Sequence, residues 1–412
     1  MIVDRTLANG LRVLALRPGT GPLVEVRLHV PAPAVTRRQI AAQALLAACL
    51  TARHTTGRTG SASAAGAAAE FRAWSDYRRV GMSGSCAVGG PEAVLRLVAD
   101  AVTGLSATET DYATERGQLV TRLRLGLAHP DAPVRLALWR QLFGDHPIGL
   151  QLPDVDEVLA LDADDVARHG AAALRPDGAT LVIVGPTDPD RSVRLAGDLL
   201  GGWPPGPPRP AVPALSGIPE GDVRPFARPG AGRAQIRLRA AALPQDDLRY
   251  PALMVASNVF GSGTSSRLVR ELREDKGYVY GVACFFDPVP GSTLVALEAD
   301  TATGTALPAV GALAAELRRL FDSPPTVAEV DAARRRAVGA AVTSLASRAA
   351  LASSLAELAA AGIDPPWLFG FADRLREVTH DAVLDATAHF APHRFSGLVA
   401  GDLPADTHLE MA

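Results

Sequence analysis

The sequence repeats one order of predicted elements in its two halves. In each half a helix-forming stretch leads into a short apolar strand that ends at glycine, with the letters LVIVG in the first half and GLVAG in the second. Gly185 and Gly401 lie 216 positions apart, and Val166 and Val383 lie 217 positions apart. A matching order at a near-constant offset indicates an internal duplication, so the chain is expected to fold as two similar domains.

A proline-rich segment separates the two halves. Positions 201–213 read GGWPPGPPRPAVP, and Pro219 follows shortly after. Proline at this density prevents helix continuation and central strand pairing, which leaves an extended, semi-rigid connection. We therefore predict an N-terminal α+β domain at 1–200, a Pro/Gly-rich linker at 201–221 and a C-terminal α+β domain at 222–412.

Both halves contain strand and helix patterns in the same order. Residues 23–30 alternate between apolar and polar types, as a half-buried strand does, and 234–241 hold the equivalent place in the second half. An apolar helix pattern follows each strand, at 40–51 and at 251–260, and longer patterns rich in Ala, Leu and Arg come next. This order predicts an α+β fold with two similar domains, each a mostly antiparallel sheet with helices packed on one face.

The charge and cysteine content narrow the possible partners and the compartment. The 41 basic and 44 acidic residues give a net charge of −3, which provides no basis for predicting nucleic acid or an anionic membrane as a partner. Cys49, Cys86 and Cys284 are far apart and match no metal or disulfide spacing, as expected for buried thiols in a reducing compartment. The N-terminus lacks a signal-peptide pattern, and no run of about 18 uncharged apolar residues predicts a membrane span. We expect a cytoplasmic protein.

A group of short motifs in the second half resembles a known peptidase signature. The sequence contains FGSGTSSRL at 260–268, LRE at 272–274 and GYVYGV at 277–282. This combination resembles the signature of the mitochondrial-processing-peptidase-like branch of the pitrilysin/insulinase-type (inverzincin) metallopeptidases. The opening LANGLRV at 7–13 resembles the N-terminal hairpin of the same clan. With the duplicated halves, the resemblance covers essentially the whole chain.

The resemblance implies a division of tasks between two chains. Members of this family have two similar α+β domains per chain, and two chains form a closed chamber. In the heterodimeric members, one chain binds zinc through H-x-x-E-H and a distal glutamate. The other chain lends an arginine and a tyrosine from the second-half signature.

The zinc motif of the family is absent from the matching helix of this sequence. In H-x-x-E-H, the two histidines share one helical face and bind zinc, while the glutamate acts as a general base. The aligned positions here are Gln43 and Ala47 for the ligands and Leu46 for the base. The third ligand lies seven positions after a first glutamate, which Glu115 matches, and Arg122 stands at that position. We therefore predict no metal and no other cofactor in this chain, and zinc in a partner subunit.

Two alternative sites are less favoured by the sequence. His389 and His393 have the spacing of metal ligands on a helix, but Pro392 interrupts the helix that would align them, so solvated or capping histidines are the preferred interpretation. The Gly261-x-Gly263 pattern is also found in nucleotide loops, yet no phosphate-binding lysine pattern or distal ribose-binding acid accompanies it.

The second-half signature contains the residues that are still able to act. Gly261 and Gly263 permit close approach of the backbone to a peptide, and with Ser266 they are the predicted substrate-binding residues. By resemblance, Arg267 and Tyr280 reach the partner's zinc site, where a guanidinium binds peptide carbonyls and a phenol donates to a developing oxyanion. The structural alternative is that Arg267 caps a helix and Tyr280 packs in a sheet. Other basic residues of the segment are predicted to form a solvated helix face: Arg270, Arg273 and Lys276.

The leading hypothesis is a non-catalytic subunit of a heterodimeric zinc metalloendopeptidase. Its partner would be a homologous zinc-binding chain, and its substrates would be short or unstructured peptides because a closed chamber excludes folded domains. Removal of a leader from a ribosomally made peptide in a bacterial cytosol is one such reaction, by analogy only. No activity is expected from this chain alone.

Two alternative functions remain open at the level of sequence. One is a structural scaffold without a role in proteolysis, like the core subunits of respiratory complex III that share this fold. The other is an inactive homodimer that binds peptides. The low-complexity run at 60–69 precedes the segment where active relatives have a substrate-pairing edge strand, and the usual Asn-Ala-x-Thr is not recognisable there.

Overall fold

The computed structural model divides into two compact units that interleave along the chain. The described residues are 2–19, 21–55, 70–87, 91–103, 109–150, 152–207, 209, 211–404 and 407–409. Unit 1 comprises Met1–His129, His146–Pro213 and Ser344–Leu368, and unit 2 comprises Pro130–Asp145, Ala214–Thr343 and Phe369–Ala412. The low-complexity run at 60–69 lies outside the described residues.

The sheet of unit 1 has six strands in the order β1-β2-β6-β3-β5-β4. Its strands are β1 (Ile2–Thr6), β2 (Arg12–Leu16), β3 (Leu23–Pro31), β4 (Glu70–Ser75), β5 (Arg79–Ala87) and β6 (Thr180–Val184). Only the β2–β6 pair is parallel, and the other pairs are antiparallel. The predicted Asn-Gly hairpin joins β1 to β2, with Gly10 at a φ of 90°, which glycine adopts without steric cost.

The sheet of unit 2 has five strands in the order β7-β11-β8-β10-β9. Its strands are β7 (Val223–Ala227), β8 (Arg233–Ala242), β9 (Val279–Val289), β10 (Ser292–Ala302) and β11 (Ser396–Gly401). The β7–β11 pair is parallel, and the other pairs are antiparallel. Apart from β1, the two sheets therefore have the same strand order and the same strand directions, which confirms the predicted α+β fold with two similar halves.

Helices cover the apolar face of each sheet. The helices are α1 (Arg37–Thr55), α2 (Pro91–Thr103), α3 (Glu109–Ala128), α4 (Ala132–Phe143), α5 (Val155–Leu159), α6 (Ala163–Ala173), α7 (Pro189–Leu200), α8 (Tyr250–Phe260), α9 (Ala306–Asp322), α10 (Val327–Ser344), α11 (Arg348–Ala360), α12 (Pro365–Phe369), α13 (Phe371–Glu377) and α14 (His380–Ala386). In unit 1 the alternation of β3 decides which face of the sheet is covered. Its alternate residues Val24, Val26 and Leu28 point into a core shared with α1 and α2.

The prediction that helices pack on one face only is wrong in one respect. In unit 1, Leu14 and Val182 point away from the main core and pack against Leu351 and Leu355 of α11. In unit 2, Leu398 of β11 packs against α4. Both covering helices come from the opposite half of the chain, and α4 and α11 hold equivalent places in the duplication. Each unit therefore has a helix from the other half of the sequence on the second face of its sheet.

None of the described helices alone is long and apolar enough to cross a membrane. The consecutive helices α10 and α11 reach the required length and composition together, but they bend by 101° at their junction.

The exchanged helix leads to a prediction about the first half of the chain. Residues 1–213 produced alone are expected to bind a hydrophobic dye and to lack a cooperative unfolding transition, because the face containing Leu14 and Val182 has no cover. Addition of a peptide comprising residues 344–368 is expected to restore cooperative unfolding, measured by circular dichroism. A control peptide with Leu351→Asp and Leu355→Asp should have no effect. Cooperative unfolding of 1–213 without the peptide would contradict the prediction.

Candidate functional site

Gln43 of α1 holds the turn between β4 and β5. Its amide nitrogen donates to the carbonyl oxygens of Asp76 at 2.5 Å and Arg79 at 3.3 Å. Its amide oxygen lies 3.1 Å from Nε2 of His169, which acts as the donor because the amide oxygen can only accept. The side chain is 1% exposed. All of its hydrogen-bonding groups therefore have partners within unit 1.

The two other substituted positions on α1 are part of the packed core. Leu46 and Ala47 are buried, and Leu46 belongs to the main cluster of unit 1. The helix α3 packs against α1, as a third ligand from a neighbouring helix would require. On α3, burial raises the pKa of Glu115, an effect that the positive charge of Arg122 partly offsets. Arg122 itself is exposed.

The residues at these four positions do not fit a zinc ion. Zinc takes imidazole, thiolate and carboxylate ligands, whereas this face of α1 presents a fully bonded amide and aliphatic side chains. Cys49 lies one turn further along the helix, and burial raises the pKa of its thiol to about 12, which disfavours the thiolate that metals bind. Among the described residues, no group of three or more His, Cys, Asp or Glu side chains is arranged to hold a metal.

Gly261 and Ser262 lie against the outer edge of strand β9. The Cys284 N–H donates to the Gly261 carbonyl at 3.0 Å, and the Ser262 hydroxyl donates to the Cys284 carbonyl at 2.5 Å. A Cβ atom at Gly261 would lie 2.6 Å from Cβ of Cys284 and 2.9 Å from Cδ1 of Leu268. Glycine is therefore required here by packing within unit 2. This packing explains the glycine at position 261 without the predicted contact with a substrate.

The next two predicted substrate-binding residues differ in their exposure. Gly263 is exposed and has a φ of 94°, so its backbone is free to face another molecule. Ser266 is fully buried, and its hydroxyl has no hydrogen-bond partner in the structure. In this conformation, only Gly263 of the three predicted residues offers an open surface to a peptide.

Arg267 forms a bidentate ion pair with Glu329 at the start of α10. Its Nε and Nη2 atoms donate to the two carboxylate oxygens at 2.8 and 2.9 Å, and Nη1 donates to the Ser323 carbonyl at 2.8 Å. Thr326 and Glu329 also form a reciprocal capping box for α10. Hydrogen bonding from Arg267, followed by that from Thr326, lowers the pKa of Glu329 to about 2. The guanidinium, 13% exposed, is therefore engaged within unit 2.

Tyr280 lies at a β-bulge and faces solvent. Gly281 pairs with Asp300 and Val279 pairs with Thr301, so Tyr280 is the extra residue on β9. Its side chain is 58% exposed on an edge strand. A bulge redirects the side chain of its unpaired residue, and bulges are frequent beside active sites. The phenol is thus presented outward, where it is able to donate a hydrogen bond to a group from another chain.

Arg273 is an exposed guanidinium that the sequence interpretation placed on a solvated face. It belongs to a π-helical turn, Val269–Asp275, which leads directly toward Tyr280. π-helical turns are frequent at functional sites. The sequence pattern alone does not distinguish Arg273 from Arg267. The two differ because Arg267 pairs with the carboxylate of Glu329, which lies 62 positions away in sequence. Among the arginines and tyrosines that match the family signature, Arg273 and Tyr280 have exposed side chains.

A comparison with protein families identifies the domain type. Residues 160–337 match the family described as the peptidase M16 inactive domain. This part of the chain is therefore similar to a peptidase M16 inactive domain. The predicted resemblance to this peptidase family is therefore confirmed. The substituted positions Gln43, Leu46, Ala47 and Arg122 lie outside the matched residues.

Two curated proteins are similar to part of the chain. An uncharacterized zinc protease of Streptomyces coelicolor is 27% identical over 205 residues, which cover 45% of this chain and 42% of that protein. An uncharacterized zinc protease of Mycobacterium leprae is 25% identical over 202 residues, which cover 48% of this chain and 45% of that protein. The chain thus spans less than half of the length of these relatives.

Solved structures with the same fold match nearly the whole chain. A peptidase M16 inactive domain from Pseudomonas fluorescens has a TM-score of 0.84 at 20% identity and covers 100% of both chains. A protease from Helicobacter pylori has a TM-score of 0.80 at 16% identity, covering 97% of this chain and 99% of that one. A chain of complex III2 from Candida albicans has a TM-score of 0.83 at 18% identity, covering 99% and 98%. At these identities the similarity establishes the fold.

The ion pair of Arg267 predicts a pH-dependent contribution to stability. Arg267→Ala is expected to lower the free energy of unfolding by about 1–3 kcal/mol at pH 7, because charge-assisted hydrogen bonds are lost. The lowered pKa of Glu329 means that the contribution is fully present above about pH 4.5, its ordinary pKa, and is lost as the pH falls toward about 2. The measurement is urea unfolding at several pH values.

A matched control separates this effect from a general loss of charge. Arg270→Ala removes an exposed guanidinium from the same segment and should change stability by less than about 0.5 kcal/mol. An Arg267→Ala variant that is as stable as the wild type at pH 7 would contradict a stabilising role for the ion pair with Glu329.

Proposed function

We propose that this chain is the non-catalytic subunit of a heterodimeric zinc metalloendopeptidase. The observation that supports the proposal most directly is the outward presentation of Tyr280 at a bulge of an edge strand. An exposed phenol at this position is well suited to donate a hydrogen bond to an oxyanion formed in the active site of another chain. The face of α1, by contrast, provides no ligands and no general base. Zinc and the attacking water would therefore belong to the partner subunit.

The guanidinium supplied to the partner would come from Arg273. Arg267 was the expected residue, but its use in trans would require breaking a bidentate ion pair and a contact with a backbone carbonyl. Arg273 is exposed and stands on the turn that leads to Tyr280. A guanidinium there is suited to bind the carbonyl groups of a peptide. Arg267 would instead fix the α9–α10 connection of unit 2.

The proposed substrates are short or unstructured peptides, cleaved between the two subunits. Leader-peptide removal from a ribosomally made precursor in the bacterial cytosol is one reaction of this class. Gly263 would provide backbone contacts to such a peptide, because it is exposed and conformationally permissive. Strand β4 also lies at the edge of its sheet, but its sequence lacks the Asn-Ala-x-Thr of active relatives.

A structural scaffold without a role in proteolysis is the competing function. The internal engagement of Arg267 favours it, since one of the two residues expected in trans has a structural role within unit 2. The exposure of Tyr280 favours the peptidase subunit, since a scaffold gains nothing from a solvent-exposed phenol at a bulge. The two functions differ in whether activity of the pair depends on Tyr280.

The experiment combines this chain with a homologous chain that contains an intact H-x-x-E-H motif. Cleavage of fluorogenic peptides is expected from the pair and not from this chain alone. Tyr280→Phe should lower kcat by about 10²–10³-fold without loss of assembly, the usual effect of removing one oxyanion donor. Arg273→Ala should lower kcat/KM without loss of assembly, because the peptide carbonyl groups lose a guanidinium partner. Arg270→Ala is the matched control on the same turn and should retain activity. Normal cleavage by both test variants would exclude the role in trans and favour a scaffold.

A further inference from the structure

The guanidinium of Arg233 lies over the ring of Tyr280. The distance from its Cζ atom to the ring centroid is 5.0 Å, which is within the range of a cation–π contact. Arg233 begins β8 and Tyr280 belongs to β9, so both side chains reach across the end of the intervening strand β10, where Arg233 pairs with Ala302.

Three threonines at the end of β10 hold the backbone on both sides of this contact. The Thr301 hydroxyl donates to the Tyr278 carbonyl at 2.5 Å, and the Thr305 hydroxyl lies 3.1 Å from the same carbonyl oxygen. Thr303 donates to the Ala231 carbonyl at 2.5 Å. The contacts of Thr301 and Thr305 fix the start of β9, which presents Tyr280, and the bond of Thr303 fixes the segment that precedes Arg233.

Thr301, Thr303 and Thr305 together form a threonine clamp. Thr301 is fully buried, and its hydroxyl accepts a hydrogen bond from the Thr305 hydroxyl at 2.6 Å while it donates to the Tyr278 carbonyl. Buried and mutually bonded hydroxyls restrict the positions that the two strand ends can adopt. The exposed side chains that these strands present are therefore held at a defined separation.

The exposure of Tyr280 makes such a restraint necessary. A solvent-exposed tyrosine on an edge strand ordinarily samples several rotamers, and the flanking Gly281 gives it no lateral packing. An oxyanion donor is effective only when it is oriented before the reaction begins. Over the ring, Arg233 limits the directions in which the phenolic hydroxyl can point.

We infer that Arg233 is a positioning residue for Tyr280, acting through the stacked guanidinium and the threonine clamp. This inference rests on the proposed function for its catalytic consequence. The stacking itself is a property of the isolated chain. The two parts are therefore tested by separate measurements.

The first measurement uses this chain alone. The five tyrosines are labelled with 13C in the ring, and the Tyr280 signal is assigned by its loss in Tyr280→Phe. In Arg233→Ala the Tyr280 signal should shift toward that of a freely rotating, solvated tyrosine, while Arg233→Lys should give a smaller shift because a cation remains. Arg224→Ala removes an exposed guanidinium from β7 of the same sheet and should leave the signal in place. An unchanged Tyr280 signal in Arg233→Ala would overturn the inference.

The second measurement uses the pair with the zinc-binding partner. Arg233→Ala should lower kcat by about two- to fivefold with little change in KM, the size expected for an exposed cation–π contact. Arg233→Lys should recover part of the loss. In a Tyr280→Phe background, Arg233→Ala should have no further effect, because a positioning residue acts only through the group that it positions. An equal loss in both backgrounds would show that Arg233 acts independently and would overturn the inference.

The two measurements distinguish failure of the inference from failure of the proposed function. A shifted Tyr280 signal together with peptide cleavage that does not depend on Tyr280 would support the stacking and contradict the proposed function. An unshifted signal together with Tyr280-dependent cleavage would contradict the stacking and leave the proposed function supported.

Discussion

The central strands β6 and β11 are buried on both faces, and the remaining architecture depends on this constraint. Every residue of both strands is buried, so each sheet needs a helix layer on its second face. The chain provides that layer by exchange: α11 from the second half covers unit 1, and α4 from the first half covers unit 2. Because a sheet with one apolar face exposed would aggregate, the two halves depend on each other despite their common origin.

Local patterns were sufficient to predict the fold class, while long-range partners were not predictable. The Asn-Gly hairpin, the alternation of β3 and the repeated strand order all follow from local residue types. The exchange of α4 and α11 does not, because an amphipathic helix does not specify which sheet it covers. The bulge at Tyr280 depends on how β9 pairs with β10. The absence of H-x-x-E-H at Gln43–Ala47 can be read from the sequence because the spacing of that motif is local.

Two sets of residues that the sequence analysis considered differ in the described structure. On α1, Gln43 has become a structural residue whose amide holds the β4–β5 turn, and Leu46 and Ala47 complete the core. In unit 2, the bulge, the threonine clamp and Arg233 all act on one exposed phenol. An unused site would be expected to lose such features first, since an exposed tyrosine adds little to stability. The contrast supports a division of tasks between this chain and a partner.

The most direct test of this account is the zinc content of the purified chain, of its H-x-x-E-H partner and of their complex, measured by elemental analysis after dialysis against zinc and then against metal-free buffer. We predict no bound zinc in this chain alone and one zinc per complex, which disappears when the partner's motif is substituted. Stoichiometric zinc in this chain alone would contradict it.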